Sequence, residues 1–98
     1  MVACGNGHTV GLCRNGCVVA VGDNRLGQCN VAAAQNIVYV ACLPEATVCV
    51  KADGTVELYG GTGEMRERIL SLRDIVAVYA CEYRLSALTS AGRILRVN

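Results

Sequence analysis

The chain has 98 residues, of which 53 % are hydrophobic and only 4 % aromatic, and its formal net charge is +1. This length allows one small domain, and its core must be built from Val, Ile, Leu, Ala and Cys because Trp and Phe are absent. Basic residues do not cluster as in nucleic-acid-binding proteins, and no apolar run approaches the roughly 20 residues of a membrane span. We therefore expect neither a nucleic-acid partner nor a membrane association.

Seven cysteines are present, which is an odd number. Most of them occupy apolar positions in β-rich runs, where a reduced cysteine behaves as a small hydrophobic residue. A secreted disulfide framework would more often show an even count, and the first residues of the chain lack the pattern of a signal peptide. We therefore predict reduced thiols and a cytoplasmic location.

In chain order, the sequence repeats one pattern at a spacing of 38 residues. Val2-Ala3-Cys4 recurs 38 positions later as Val40-Ala41-Cys42, and Ile37-Val38 recurs in the same way as Ile75-Val76. A fixed period of this length is typical of solenoids, propellers and repeat arrays. We predict a single repeat domain over residues 1–98, with units 1–38 and 39–76 and a partial unit 77–98.

Each unit predicts three β-strands, with a short loop after the first strand and a tight turn after the second. Asn-Gly and Asp-Gly between β-branched runs are the strongest short signal for a hairpin, because glycine adopts positive φ at no steric cost. The five glycines assigned to structural turns and strand ends are Gly16, Gly22, Gly54, Gly60 and Gly92. The predicted strands are 2–4, 8–13 and 17–21, then 37–42, 46–51 and 55–59, then 75–81, 85–89 and 93–97.

After the third strand the units diverge. Residues 23–31 predict a loop with at most a short strand. In the second unit Met65, Ile69 and Leu72 recur at helical spacing, which predicts one short helix near 64–72. The sequence as a whole therefore predicts an all-β fold, a partial β-propeller of antiparallel three- to four-stranded blades.

The repeat also carries a family resemblance. His8-Thr9-Val10, Asn15-Gly16 and Gly27-Gln28 stand in a pattern that resembles the repeat of the regulator of chromosome condensation family, especially its bacterial branch. The resemblance spans about two and a half repeats and is strongest in the first. It implies blades of a propeller that is seven-bladed in its closed form. It also implies a protein-binding platform, since the family includes an exchange factor for a small GTPase, domains of ubiquitin ligases, an inhibitor of β-lactamase and a plant photoreceptor.

The chain departs from the family pattern in two respects. The motif histidine is replaced by Ala46 in the second unit and by Arg84 in the third, and the photoreceptor chemistry needs tryptophan, which is absent. The units are also too few for a ring. We expect an exposed strand edge at each end, which recruits a protein partner or further copies of the chain as a homo-oligomer. The alternative is a fragment of a longer propeller protein with no separate function.

The loops before the second strands share one repeat position and should cluster on one face. Tyr and Arg, which are enriched at binding hot spots, occur among them. We therefore take these loops as the candidate partner-binding surface, although ordinary solvated loops would show the same pattern. The candidate residues are Asn6, Gly7, Pro44, Glu45, Glu82, Tyr83 and Arg84.

The sequence shows no catalytic constellation, no cofactor motif, no paired metal ligands and no sign of a small-molecule substrate. His8 is interpreted as a structural residue that bonds the loop before its strand, with a base or metal ligand as the alternative. Cys13 and Cys17 flank one hairpin turn and predict two reduced thiols, a disulfide or half of a metal site. The leading hypothesis is a non-enzymatic protein–protein interaction module. A thiol-dependent enzyme centred on Cys13 or Cys17 is the remaining alternative.

Overall fold

The computed structural model describes residues 1–4, 7–24, 27–29, 31, 34–44, 46–60, 64–81 and 84–97. Within this part of the chain, nine strands form three antiparallel sheets of three strands each, in sequence order, and one short helix follows the second sheet. This confirms the predicted all-β fold of partial propeller blades. The elements are β1 (Val2–Cys4), β2 (His8–Leu12), β3 (Val18–Gly22), β4 (Ile37–Leu43), β5 (Ala46–Lys51), β6 (Val56–Gly60), α1 (Glu64–Leu70), β7 (Ile75–Cys81), β8 (Arg84–Thr89) and β9 (Ile94–Val97).

The second sheet is covered on both faces. Its central strand, β5, is mostly apolar, and its residues 47–50 are fully buried. Burial of successive residues, which point to opposite faces, is typical of a strand that has neighbours on both sides. On one face the register aligns Tyr39, Val50 and Val56 in a row, and on the other face it aligns Val40 with Cys49.

The sheets contact one another through their faces, not through their edges. Hydrogen bonds join strands within each sheet, and two apolar clusters fill the spaces between sheets. One cluster joins Val10 and Val18 of the first sheet to Val40 of the second. The other joins Val50 of the second sheet to Leu85 of the third. The exposed surfaces at the two ends of the stack are therefore sheet faces, and association through strand edges stays a prediction.

The chain passes from the second sheet to the third across a hairpin turn. Asp74 adopts a left-handed conformation with φ of 58°, and the amide of Ile75 donates a hydrogen bond of 3.0 Å to the Gly54 carbonyl. The Asp74 carbonyl accepts a hydrogen bond of 2.8 Å from the amide of Ser90 in the next turn. A Cβ atom at Gly54 would lie 3.0 Å from the Asp74 Cα, a tight contact that Asp74 could relieve only by moving a few tenths of an ångström.

The same contact joins the first and second sheets. Asn36 has φ of 59°, the amide of Ile37 donates to the Gly16 carbonyl at 3.1 Å, and the Asn36 carbonyl accepts from Ala52 at 2.9 Å. We call the pairs Asn36-Ile37 and Asp74-Ile75 the lead-in segments. The repeat boundaries drawn at 38/39 and 76/77 fall just inside β4 and β7, a residue or two after these segments.

Helix α1 lies beside the third strand of the second sheet. Ile69 is fully buried in the cluster between the second and third sheets, and Leu72 packs against the same cluster. Arg66 donates hydrogen bonds from Nη1 to the Gly60 carbonyl at 2.8 Å and to the Leu58 carbonyl at 3.3 Å. The helix is thereby tied to β6, which agrees with the predicted short helix near 64–72.

We expect Gly54→Ala to destabilise the chain more than Gly92→Ala. Both glycines have positive φ, 88° and 83°, so alanine strains each backbone by about 1 kcal/mol. Of these two sites, only Gly54 has a neighbour, Asp74, that the added Cβ displaces, because no described residue lies within 4 Å of the Cβ position at Gly92. Chemical denaturation of the two variants measures the difference, which we expect to be about 1 kcal/mol or more. Equal losses would contradict the close contact at Gly54.

Candidate functional site

The predicted loop surface is described only in part. Gly7 and Arg84 are exposed and Pro44 is half-buried. Gly7 and Pro44 lie in the connection between the first and second strands of their sheets, whereas Arg84, predicted in the corresponding loop, is the first residue of β8. Gly7 also has a structural role, because its carbonyl accepts a hydrogen bond of 2.6 Å from the amide of Asp23. The other candidates lie outside the described residues, and the binding role of the whole surface stays a prediction. They are Asn6, Glu45, Glu82 and Tyr83.

His8 connects the first two sheets. Its imidazole is 3 % exposed, and Nε2 lies 3.1 Å from the hydroxyl of Thr47 in the second sheet. The Thr47 hydroxyl donates its single proton to the Gln28 carbonyl at 2.7 Å, so it must accept the bond from His8. Nε2 of His8 is therefore the donor in this bond. Among the described residues the buried Nδ1 atom has no hydrogen-bond partner.

This polar link occurs in one of the two inter-sheet contacts. The equivalents of His8 and Thr47 in the contact between the second and third sheets are Ala46 and Leu85, both buried and both apolar. The described part of the chain holds no group of three His, Cys, Asp or Glu side chains suited to a metal ion. His8 thus bonds the neighbouring sheet, a partner that lies 39 positions away in the sequence.

The cysteines fall into exposed and buried groups. Cys13 and Cys17 are exposed thiols on either side of the Gly16 turn, and they are joined through their backbones by a hydrogen bond of 2.9 Å from the Cys13 amide to the Cys17 carbonyl. Cys49 is fully buried, and burial, assisted by the nearby Glu57 and Cys42, raises the pKa of its thiol to about 12.

Two apolar sheet faces stand open to solvent, and sequence reasoning did not identify them. On the first sheet, Val2, Val19 and Val21 are 59–70 % exposed, and the register places Val2 and Val19 in one row. We call this surface the first-sheet face. No helix in the described part is long and apolar enough to cross a membrane.

The opposite end presents the third-sheet face, which we define by Tyr79, Leu88 and Ile94. Their exposed fractions are 74 %, 39 % and 69 %. The register aligns Ala77, Leu88 and Ile94 in one row and places Tyr79 in the next. A shallow, almost wholly apolar groove of about 230 Å³ runs along this face and extends to Tyr39 of the second sheet.

Comparison with known families supports the repeat. Residues 2–28, which include the whole first sheet and Gly27-Gln28, match the family described as the Regulator of chromosome condensation (RCC1) repeat. This confirms the resemblance read from the sequence. Repeats of this family generally serve as interaction and regulatory elements, not as enzymes. No curated protein matches the chain.

We expect Thr47→Val to lower the free energy of unfolding by about 1–3 kcal/mol, because it removes the buried hydroxyl that accepts the His8 Nε2 proton and donates to the Gln28 carbonyl. Thr9 occupies the same repeat position in the exposed first sheet, so Thr9→Val is the matched control and should change stability by under about 0.5 kcal/mol. Urea denaturation measures both variants. Similar effects of the two substitutions would show that the inter-sheet link contributes nothing.

We expect alkylation with iodoacetamide at pH 8 to separate the cysteines into two groups. The exposed Cys4, Cys13 and Cys17 should react, whereas Cys49 should react only after denaturation because its thiol is buried and its pKa is about 12. Mass spectrometry of the digested protein gives the modified fraction at each site over time. A single exposed cysteine that reacts far faster than the other two would favour the thiol enzyme.

Proposed function

We propose that this chain is a non-enzymatic protein–protein interaction module built from propeller blades, incomplete alone, which associates through its two open sheet faces. The module comprises all 98 residues as one repeat domain and acts in the cytoplasm. One observation supports the proposal. Repeat positions that are buried where two sheets pack together are exposed on the outer faces of the first and third sheets.

The first such position lies in the third strand of each sheet. Val18 and Val56, whose faces are covered by a following sheet, are 5 % and 4 % exposed. Ile94 stands at the same repeat position and is 69 % exposed. Ile94 is therefore an apolar residue at a position that normally packs against the next sheet, but here it is exposed to solvent.

The second position lies in the first strand and shows the same difference at the other end. Val40 and Val78, which face a preceding sheet, are 1 % and 3 % exposed, whereas Val2 is 69 % exposed. Burial of one such side chain contributes roughly 1.5–3 kcal/mol. Covering either face with a complementary sheet would therefore stabilise a complex substantially.

Self-association follows from the repeat. The third-sheet face occupies the repeat positions with which the second sheet contacts the third. The first-sheet face occupies the repeat positions with which the second sheet contacts the first. The third-sheet face of one copy could therefore pack against the first-sheet face of the next. At the position of the His8–Thr47 link, this arrangement opposes Arg84 of one copy and Thr9 of the next, a cationic donor and a hydroxyl acceptor. A head-to-tail contact of this kind closes into a ring or extends as a filament, according to the rotation between copies.

A different protein could use the same surfaces. The loops that include Gly7 and Pro44, with Arg84 at the start of β8, would then form an additional contact beside the open faces. A longer propeller, in which further blades cover both faces, is the alternative that the same exposure supports. In that case the chain would carry no function separate from the whole propeller.

We expect the purified chain to form assemblies of more than one copy, and we expect Ile94→Glu to reduce them to monomers because it places a charge in the inter-sheet contact. Val38→Glu is the matched control, since Val38 and its equivalent Val76 are 49 % and 46 % exposed and are therefore not covered by a neighbouring sheet. Light scattering over a range of concentrations gives the mass of each variant. A monomeric wild-type chain at every concentration would contradict self-association.

A further inference from the structure

The three hairpin turns have one geometry but different surroundings. Gly16, Gly54 and Gly92 have φ of 85°, 88° and 83°. In each turn the glycine amide donates to the carbonyl three residues earlier, at 3.1, 3.0 and 3.0 Å. A lead-in segment covers the first two glycines, whereas Gly92 is exposed and no atom of the described residues lies within 4 Å of its Cβ position. The third turn therefore has the same backbone geometry as the first two, but its glycine is not covered by a lead-in segment of the described chain.

The two covered turns show which residues pack against a turn of this geometry. At Gly54 the segment begins with Asp74 in a left-handed conformation, which Asn and Asp tolerate better than other residues with side chains. Ile75 follows, donates its amide proton to the turn and is 1 % exposed. At Gly16 the corresponding Ile37 is 3 % exposed. Both turns thus accept an Asn or Asp followed by a buried isoleucine.

Beyond the lead-in segment, each strand crosses the preceding sheet. Strand β7 contacts β4 and β5, and its Val78 lies in the same cluster as Val48 and Val50. The equivalent surface of the third sheet is the row of Ala77, Leu88 and Ile94 with the apolar groove beside it. Because Ile94 follows Gly92 by two residues, the turn and the groove form one continuous surface.

We propose that the Gly92 turn and the groove of the third-sheet face bind an extended segment of a partner protein that begins with Asn-Ile or Asp-Ile and continues with alternating apolar residues. This inference rests on the proposed function and specifies the partner for one of its two faces. The backbone amide of the isoleucine donates to the Gly92 carbonyl. The isoleucine side chain enters the groove, and the following residues lie across Leu88 and Tyr79.

The probe is a fluorescent peptide with the sequence of residues 74–80, Asp-Ile-Val-Ala-Val-Tyr-Ala, which carries the dye and a solubilising Lys-Lys pair after its last residue. Fluorescence anisotropy measures its binding to the full chain, at protein concentrations below those where light scattering detects association. We expect saturable binding that weakens about tenfold or more when Ser replaces the isoleucine of the peptide.

The decisive variant is Gly92→Asn. Asparagine tolerates positive φ, so the turn keeps its shape, while the new side chain occupies the position of the docked Asp residue. We expect peptide affinity to fall about tenfold or more. Ala91→Asn is the matched control in the same exposed turn, since the equivalent residues of the other turns are Asn15 and Asp53, and it should bind the peptide like wild type. Circular dichroism establishes that both variants remain folded.

The inference is overturned if the wild-type chain does not bind the peptide saturably. Equal affinity for the serine peptide, or for the Gly92→Asn variant, overturns it as well. These results are independent of the test by light scattering. A chain that forms oligomers but fails to bind the peptide contradicts only the lead-in site. A chain that remains monomeric but binds the peptide through Gly92 contradicts self-association and leaves the site in place.

Discussion

Each sheet is joined to the next at a hairpin turn whose glycine lets the backbone of the following segment approach closely. The approach of Asp74 to Gly54 fixes where β7 begins, and the hydrogen bond from Ile75 fixes its direction across the second sheet. The apolar faces then meet in a set alignment. Turn chemistry and core packing are therefore coupled, since a shift at the turn would displace every row of side chains in the contact.

The two inter-sheet contacts are chemically different although they share this geometry. The first contains a buried histidine, a threonine and a backbone carbonyl in one hydrogen-bonded chain, whereas the second places Ala46 and Leu85 at the same positions. Buried polar groups must find their partners, so they tolerate fewer alternative arrangements than apolar groups do. The first contact therefore selects its neighbour by hydrogen bonding, and the second selects it mainly by shape.

Local signals in the sequence predicted most of the fold. The nine strands and the helix begin and end within about one or two residues of the predicted limits, because hairpin glycines and β-branched runs act over short distances. The partner of His8 could not be predicted, since Thr47 is 39 positions away and on another sheet. The open faces could have been predicted from the repeat alone. Val2 is the equivalent of Val40 in the first unit, and Ile94 is the equivalent of Val56 in the third, and neither has a further unit of this chain to pack against. The expectation of association through strand edges did not identify these faces, because it assumed that the end of the stack of sheets is a strand edge and not a sheet face.

The complete burial of residues 47–50 in β5 has a consequence for how the molecule moves. In an array of repeats, each unit is stabilised mainly by its neighbours, and only the second sheet has one on each side. Opening should therefore begin at the outer sheets and reach β5 last, so that amide hydrogen exchange is slowest in the middle of the chain. A partner that covers one outer sheet would supply its missing neighbour. Binding of that partner would then slow amide hydrogen exchange even in strands that the partner does not contact.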